Sequence, residues 1–210
     1  LDNIKKNIPI NIEKPLFSSY KEYIDLSDYK KNNSHFNLEF FNAYFIRDFS
    51  ERINWKLLDS LEIIWHDPFI ERRDKEVKHS ECFSSIFMDQ LLHVMSIVKA
   101  MGINSRECKL KDIKFSNDSS ERAIEIIINN KKFEIKFSLS RFYKIRERKI
   151  IINNGEMTLD FSKEPIIKRN VGELIHIGPG GRQRPIAQTL KNFITCDDNY
   201  IKNELSFDSL

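Results

Sequence analysis

Two neighbouring segments with alternating apolar residues constrain the fold of this chain more than any other feature. They are residues 123–129, with Ile124, Ile126 and Ile128, and residues 132–139, with Phe133, Ile135, Phe137 and Leu139. A period of two places the apolar side chains of each segment on one face of a strand. Asn129-Asn130-Lys131 lies between the segments and predicts a tight turn. The pair therefore predicts two antiparallel strands with a shared apolar face.

Three further segments extend this pattern. Residues 107–115 precede the pair, and residues 149–152 and 157–161 follow it, each with the composition of a strand. Asn153-Asn154-Gly155 predicts a turn between the last two, because Asn and Gly tolerate positive φ. We expect these strands to form an antiparallel meander. A final helix is predicted over residues 185–194, with Pro185 near its first turn.

The first 45 residues predict a different layer. Residues 8–15 are typical of a short strand that Pro15 ends, residues 20–31 of a helix that begins with a capping box, and residues 36–41 of a second strand. Strand, helix and strand in succession predict the end of an open parallel sheet. The fold class is thus α/β (α+β), with a parallel-sheet portion over residues 1–45 and a mainly antiparallel domain over residues 46–210.

The second part begins with elements that are less regular. A short helical stretch starts near Ile46, residues 57–65 predict a strand, and the charged segment 67–81 predicts no element. Residues 84–100 predict a helix that is apolar over most of its circumference. Such a helix is expected to be buried.

Composition excludes several classes of protein. The net charge of +3, from 34 basic and 31 acidic residues, gives no electrostatic footprint for nucleic acid. The basic run 144–149 is interrupted by Ile145 and Glu147 and is more typical of a solvated face. No apolar run approaches the roughly 20 residues that span a bilayer. Three widely spaced cysteines without a Cys-x-x-Cys pair indicate neither disulfides nor a zinc ribbon, which favours a cytoplasmic protein.

Asp89 and His93 are four residues apart on the predicted apolar helix, so their side chains lie on one stripe. A polar stripe on a buried helix must be paired or must line a cavity. A carboxylate beside an imidazole fixes the tautomer of the ring and stabilises its protonated form, which suits acid/base chemistry. A buried Asp–His hydrogen bond without chemistry is the alternative.

Glu13-Lys14-Pro15 stands at the predicted end of the first strand. Ligands of open α/β sheets bind at the carboxyl ends of the strands, where a lysine can reach into the crevice. An ordinary surface lysine paired with Glu13 is the alternative.

Taken together, these motifs resemble the Gfo/Idh/MocA family of NAD(P)-dependent oxidoreductases. The resemblance rests on Glu13-Lys14-Pro15 at a strand end, a helix, a further strand, and then Asp89-x-x-x-His93, with Asp89 75 residues after Lys14. Residues 45–49 carry an arginine, Arg47, where the family has one after its last Rossmann strand. Residues 148–160 resemble its late strand pair, and residues 184–194 its closing helix.

The resemblance implies hydride transfer between NAD or NADP and a sugar-like or cyclitol alcohol. His93 would be the general base and Asp89 its orienting partner, and Lys14 would polarise the reacting oxygen. Glu13 and Pro15, with Lys14, would shape the cofactor side of the crevice. The resemblance also implies a homo-oligomer that forms through the sheet of the second domain.

Two residues are candidates for contact with the substrate. Arg47 is one, because it stands where the family has an arginine. His66 is the other, because it follows a predicted strand, although a loop histidine paired with Asp67 explains it at least as well.

The phosphate-binding loop of a Rossmann domain is not found in this sequence. No Gly-x-Gly-x-x-Gly precedes residue 8, and Gly178-Pro179-Gly180-Gly181 does not follow a suitable strand. Ser84-Ser85 and Leu91 also stand where many members have glycines. The expectation is an oxidoreductase truncated within its Rossmann domain and inactive alone. A non-catalytic regulatory or assembly protein of the same fold is the alternative.

Overall fold

The computed structural model describes residues 10–12, 34–36, 40, 43–73, 76–79, 86–116 and 123–177. Glu13, Lys14, Pro15 and the predicted helices over residues 20–31 and 185–194 lie outside the described residues.

The described part of the chain contains twelve strands and two α-helices. The strands are β1 (Ile10–Ile12), β2 (Ser34–Phe36), β3 (Ser60–Pro68), β4 (Ile70–Arg73), β5 (Glu76–His79), β6 (Lys109–Phe115), β7 (Ala123–Asn129), β8 (Glu134–Tyr143), β9 (Glu147–Ile152), β10 (Met157–Asp160), β11 (Ile166–Arg169) and β12 (Leu174–His176). The helices are α1 (Tyr44–Glu51) and α2 (Leu92–Ala100), and a π-helical turn, Phe87–Leu91, directly precedes α2.

Eight strands form one large sheet in the order β12-β11-β10-β9-β3-β8-β7-β6. The predicted fold class is confirmed, because the sheet is mainly antiparallel and is accompanied by few helices. The predicted meander is correct for β6, β7 and β8 but wrong for β9. Strand β3 lies between β8 and β9, parallel to the former and antiparallel to the latter. Its alternating Leu61, Ile63 and Trp65 are all buried, as expected for a central strand.

The first two strands form a separate parallel pair. Ile10 lies opposite Ser34, and Ile12 lies opposite Phe36. The observed parallel pairing agrees with the predicted end of a parallel sheet, and parallel pairing requires a crossover connection. The second strand begins earlier than predicted: it covers Ser34–Phe36, and Phe40 lies in a 3-10 turn.

The charged segment after β3, for which no element was predicted, contains the antiparallel hairpin β4–β5. Its sequence is rich in charge and has few apolar positions, so no face of it is marked as buried. The Arg146 guanidinium donates to the Glu71 carboxylate over 2.8 Å and ties the hairpin to the residues before β9. Strands β11 and β12 were also not predicted, because each is short and β11 buries only Ile167.

One face of the large sheet packs against the helices. Alternate residues of β3, β7, β8, β9 and β10 form a continuous core with residues of α1 and α2. Ile46 and Phe49 of α1 and Ile97 of α2 are fully buried in it. The other face carries polar side chains, among them Lys136, whose ammonium lies 3.3 Å from Glu62 and 2.8 Å from Glu125. No helix within the described ranges is long and apolar enough to cross a bilayer.

Candidate functional site

Asp89 and His93 lie on one continuous helical segment, as predicted, but the segment is not a regular α-helix. Asp89 lies in the π-helical turn Phe87–Leu91, and His93 lies in the first turn of α2. A π-helical turn closes over one more residue than an α-helical turn and is frequent at functional sites. The two side chains are therefore presented by an irregular segment above the apolar face of the sheet.

The imidazole of His93 is held by aromatic contacts. It stacks on the indole of Trp65 with ring centroids 4.5 Å apart and an interplanar angle of 11°. The ring of Phe40 meets it edge-on, with centroids 5.7 Å apart. Trp65 is itself only 4% exposed, so its ring is fixed by the core. These contacts define the plane of the imidazole and leave His93 half-buried.

The carboxylate of Asp89 forms an ion pair with Arg141, at 3.3 Å. The Arg141 side chain is 3% exposed, whereas that of Asp89 is 36% exposed. The carboxylate therefore contacts a buried cation on one side and solvent on the other. Sequence reasoning missed Arg141, although the alternation of Ile135, Phe137 and Leu139 points to residue 141 as the next buried position of β8.

Arg148 supplies a second buried cation. It lies directly opposite Trp65 in the pairing of β9 with β3, and its guanidinium carbon is 3.7 Å from the centroid of a Trp65 ring. The guanidinium also forms an ion pair with Asp67 and donates to the carbonyl of His66. A cation over an indole and against a carboxylate is stabilised by both. In the sequence, Arg148 is part of a basic run, and nothing there marks it as buried.

Asp67 and Gln90 complete the polar groups around Trp65. One carboxylate oxygen of Asp67, Oδ2, accepts hydrogen bonds from Trp65 Nε1 over 3.2 Å and from Gln90 Nε2 over 3.0 Å. Gln90 is fully buried and also donates to the carbonyl of Ser140 over 3.0 Å. Neither Asp67 nor Gln90 was identified as a site residue from the sequence.

His66 lies on the other face of the sheet from Trp65 and His93. Its Nδ1 is 3.2 Å from Glu147 and its Nε2 is 2.9 Å from the hydroxyl of Ser138, so its partners are these residues rather than Asp67. Burial lowers the pKa of His66. Burial alone would raise the pKa of Glu147, but the Lys149 ammonium and His66 hold it below its usual range.

Serine, histidine and glutamate in this order resemble a nucleophile, a base and an orienting acid. Acyl transfer also needs donors for the developing oxyanion, usually backbone N–H groups. Strand β8, which carries Ser138, lies between β3 and β7, so ladder hydrogen bonds engage its backbone on both sides. The arrangement therefore favours a structural role on the sheet surface.

Arg47 lies on α1 and is half-buried. The structure thus brings Asp89 and His93 together on one segment, places His66 on the opposite sheet face, and leaves Glu13, Lys14 and Pro15 outside the described residues. Within the described ranges, no group of three His, Cys, Asp or Glu side chains could hold a metal ion.

No family model and no curated protein matches this chain. Solved structures do match it. A dehydrogenase (MviM) from Clostridium difficile has a TM-score of 0.69 at 14% identity, over 94% of this chain and 67% of its own. An inositol dehydrogenase homolog from Azotobacter vinelandii, complexed with NADH and myo-inositol, has a TM-score of 0.63 at 10% identity, over 98% and 66%.

A third structure is a point mutant of the 3-ketoreductase KijD10 from Actinomadura kijaniata, in complex with TDP-benzene and NADP. It has a TM-score of 0.71 at 9% identity, over 99% of this chain and 69% of its own. This chain therefore spans about two thirds of the length of these structures. They are NAD(P) dehydrogenases of the Gfo/Idh/MocA type, and the chain has their fold, as its motifs predicted.

Proposed function

We propose that this chain belongs to an NAD(P)-dependent oxidoreductase that interconverts an alcohol and a ketone on a sugar-like or cyclitol substrate. The shared fold supports this proposal, but one local observation carries it. A half-buried imidazole, that of His93, is held flat on Trp65 and shares a helical segment with the ion-paired carboxylate of Asp89. An imidazole with a fixed plane and a nearby carboxylate is suited to general acid/base catalysis.

His93 is the general base in this proposal. It takes the proton of the substrate hydroxyl in the oxidative direction and returns it in the reductive direction. Asp89 stabilises the imidazolium that forms, because its carboxylate lies one helical turn before His93 on the same segment, where it pairs with the buried guanidinium of Arg141. The Lys14 ammonium would polarise the same substrate oxygen. Its place, two residues after the end of β1, rests on the sequence.

Glu13, Lys14 and Pro15 are the residues proposed to contact the cofactor. They follow β1, and the carboxyl ends of the parallel strands β1 and β2 lie at one edge, where dinucleotides bind in open α/β sheets. NAD(P), when bound, accepts or supplies the hydride. We assign residues 1–45 to the cofactor-binding side and residues 46–210 to the substrate side.

Two further proposals concern the substrate contacts and the partner of the chain. Arg47 and His66 are retained as candidates for substrate contact, and His66 would require an approach from the opposite sheet face. A second copy of the chain is the proposed partner, joined through the large sheet, in a cytoplasmic protein.

The test is turnover by the protein expressed from its complete reading frame. Loss of NADH or NADPH absorbance would be followed with a panel of keto-sugars, inosose and nucleotide keto-sugars. We expect at least one substrate to be reduced, and the Lys14→Met variant to have a lower kcat. Binding of NAD(P)H without turnover of any compound would instead support the non-catalytic regulatory alternative.

A further inference from the structure

The carboxylate of Asp67 contacts two structural supports of the proposed catalytic residues. One is the ring of Trp65, on which His93 stacks, and the other is the π-helical turn that carries Asp89. Its Oδ2 accepts hydrogen bonds from Trp65 Nε1 over 3.2 Å and from Gln90 Nε2 over 3.0 Å. Its Oδ1 forms the ion pair with Arg148, and Arg146 lies 3.9 Å away. One side chain thus receives donors from β3, from the π-helical turn and from β9.

The first support is the ring of Trp65, on which His93 stacks. The hydrogen bond to Asp67 opposes rotation of the indole within the plane of its ring. The Arg148 guanidinium carbon lies 3.7 Å from the centroid of a Trp65 ring. Asp67 also pairs with that guanidinium. It therefore orients the indole both directly, through the hydrogen bond, and indirectly, through Arg148. A rotation of the indole would carry the stacked imidazole with it.

The second support is the π-helical turn that carries Asp89. Gln90 is fully buried and donates both to Asp67 and to the carbonyl of Ser140. The next residue of β8, Arg141, pairs with Asp89. Two successive residues of the turn are therefore fastened to two successive residues of β8, and Asp67 is an anchor of this attachment.

We propose that Asp67 is a positioning residue that sets the relation between His93 and Asp89. The inference rests on the proposed function, since it concerns the same site. Both supports end on the same oxygen, Oδ2, so a displacement of Asp67 moves the stacked imidazole and the π-helical turn together. Misplacement of reacting groups by about 1 Å can lower a rate by on the order of 100-fold.

The principal variant is Asp67→Asn. The amide keeps the shape of the side chain but has one acceptor oxygen in place of two, so the contacts with Trp65, Gln90 and Arg148 cannot all persist. Asp112→Asn on β6 is the matched control, because its carboxylate is exposed and its ion pair with Lys114 is long, at 3.9 Å.

The first readout does not require activity. The chain has two tryptophans, so a Trp55→Phe background isolates the fluorescence of Trp65. A protonated imidazole in stacking contact quenches indole emission by accepting an electron, and the emission should therefore follow the titration of His93. We expect Asp67→Asn to reduce this pH-dependent change in emission, and His93→Gln to abolish it.

The second readout is kinetic. We expect Asp67→Asn to lower kcat by on the order of 10-fold to 100-fold with little change in KM. Asp67→Glu should recover part of the loss, and Asp112→Asn should match the wild type. A folded Asp67→Asn protein with wild-type quenching and wild-type kcat would overturn the proposal.

Gln90→Met keeps the inference testable if Asp67→Asn does not fold. It removes one of the two supports and preserves side-chain volume, and a lowered kcat with retained quenching is expected. An unchanged kcat in Gln90→Met would contradict the proposed attachment of the turn. If the wild type transfers no hydride, the proposed function fails, whereas the fluorescence comparison still decides whether Asp67 positions Trp65 and His93.

Discussion

The imidazole of His93 lies flat against the indole of Trp65, with centroids 4.5 Å apart and planes inclined by 11°. Stacked aromatic pairs contribute about 0.5–1.5 kcal/mol beyond the burial of their surface. The contact involves a residue of the core and a residue proposed for catalysis. It therefore couples packing of the large sheet to the geometry of the site.

Two substitutions at Trp65 separate this stacking from the hydrogen bond to Asp67. Trp65→Phe and Trp65→Leu both remove the indole N–H, but only phenylalanine retains a flat ring. We expect Trp65→Leu to lower kcat more than Trp65→Phe. Steady-state kinetics on the two variants check this, and equal kcat values would show that the ring does not orient His93.

The ion pair of Asp89 with Arg141 is expected to couple the two residues energetically. Asp89→Asn should lower the free energy of unfolding by about 1–3 kcal/mol, because the buried guanidinium loses its carboxylate. In the Arg141→Met background, the same substitution should cost less. A double-mutant cycle from urea unfolding measures the difference, and a coupling of zero would mean that the pair contributes nothing.

The lowered pKa of His66 predicts a specific pH dependence of the free energy of unfolding. Burial lowers its pKa in the folded state, so the unfolded chain binds a proton more readily. The free energy of unfolding should therefore fall as the pH drops through the ordinary histidine value of about 6.5 towards the lower folded pKa. Urea titrations of the wild type and His66→Gln across this range test it, since the variant should lack this part of the decline. Parallel curves for the two proteins would be incompatible with a lowered pKa.

Phe137 and Phe115 are two sites whose substitution by alanine can be compared to test the core. Phe137 is fully buried in β8, whereas Phe115 is 55% exposed in β6. Phe137→Ala should lower the free energy of unfolding by about 3–5 kcal/mol, since it removes buried surface and leaves a cavity. Phe115→Ala should lower the free energy of unfolding much less. Chemical denaturation of the two variants under the same conditions measures both losses. Similar losses for both would argue against the assignment of the sheet face that packs on the helices.

Much of the sheet could be predicted from the sequence, because residues 134–140 of β8 alternate polar and apolar side chains and β7 has isoleucine at every second position, 124, 126 and 128. The insertion of β3 between β8 and β9 could not, since it pairs segments that are remote along the chain and share no local signal. The helical segment with Asp89 and His93 was correctly located, but its π-helical turn was not expected. Arg148 was missed for a related reason: a buried cation is tolerated only with its partner, and the partner, Asp67, lies on another strand.

The role of His93 as general base is tested by the rate of hydride transfer in the His93→Gln variant of the protein from its complete reading frame. Glutamine is polar but cannot act as a base at neutral pH. We expect kcat to fall by about 10²-fold to 10⁴-fold, the usual contribution of a general base, while NAD(P)H binding is retained. A His93→Gln protein that reduced the same substrate as fast as the wild type would contradict this role.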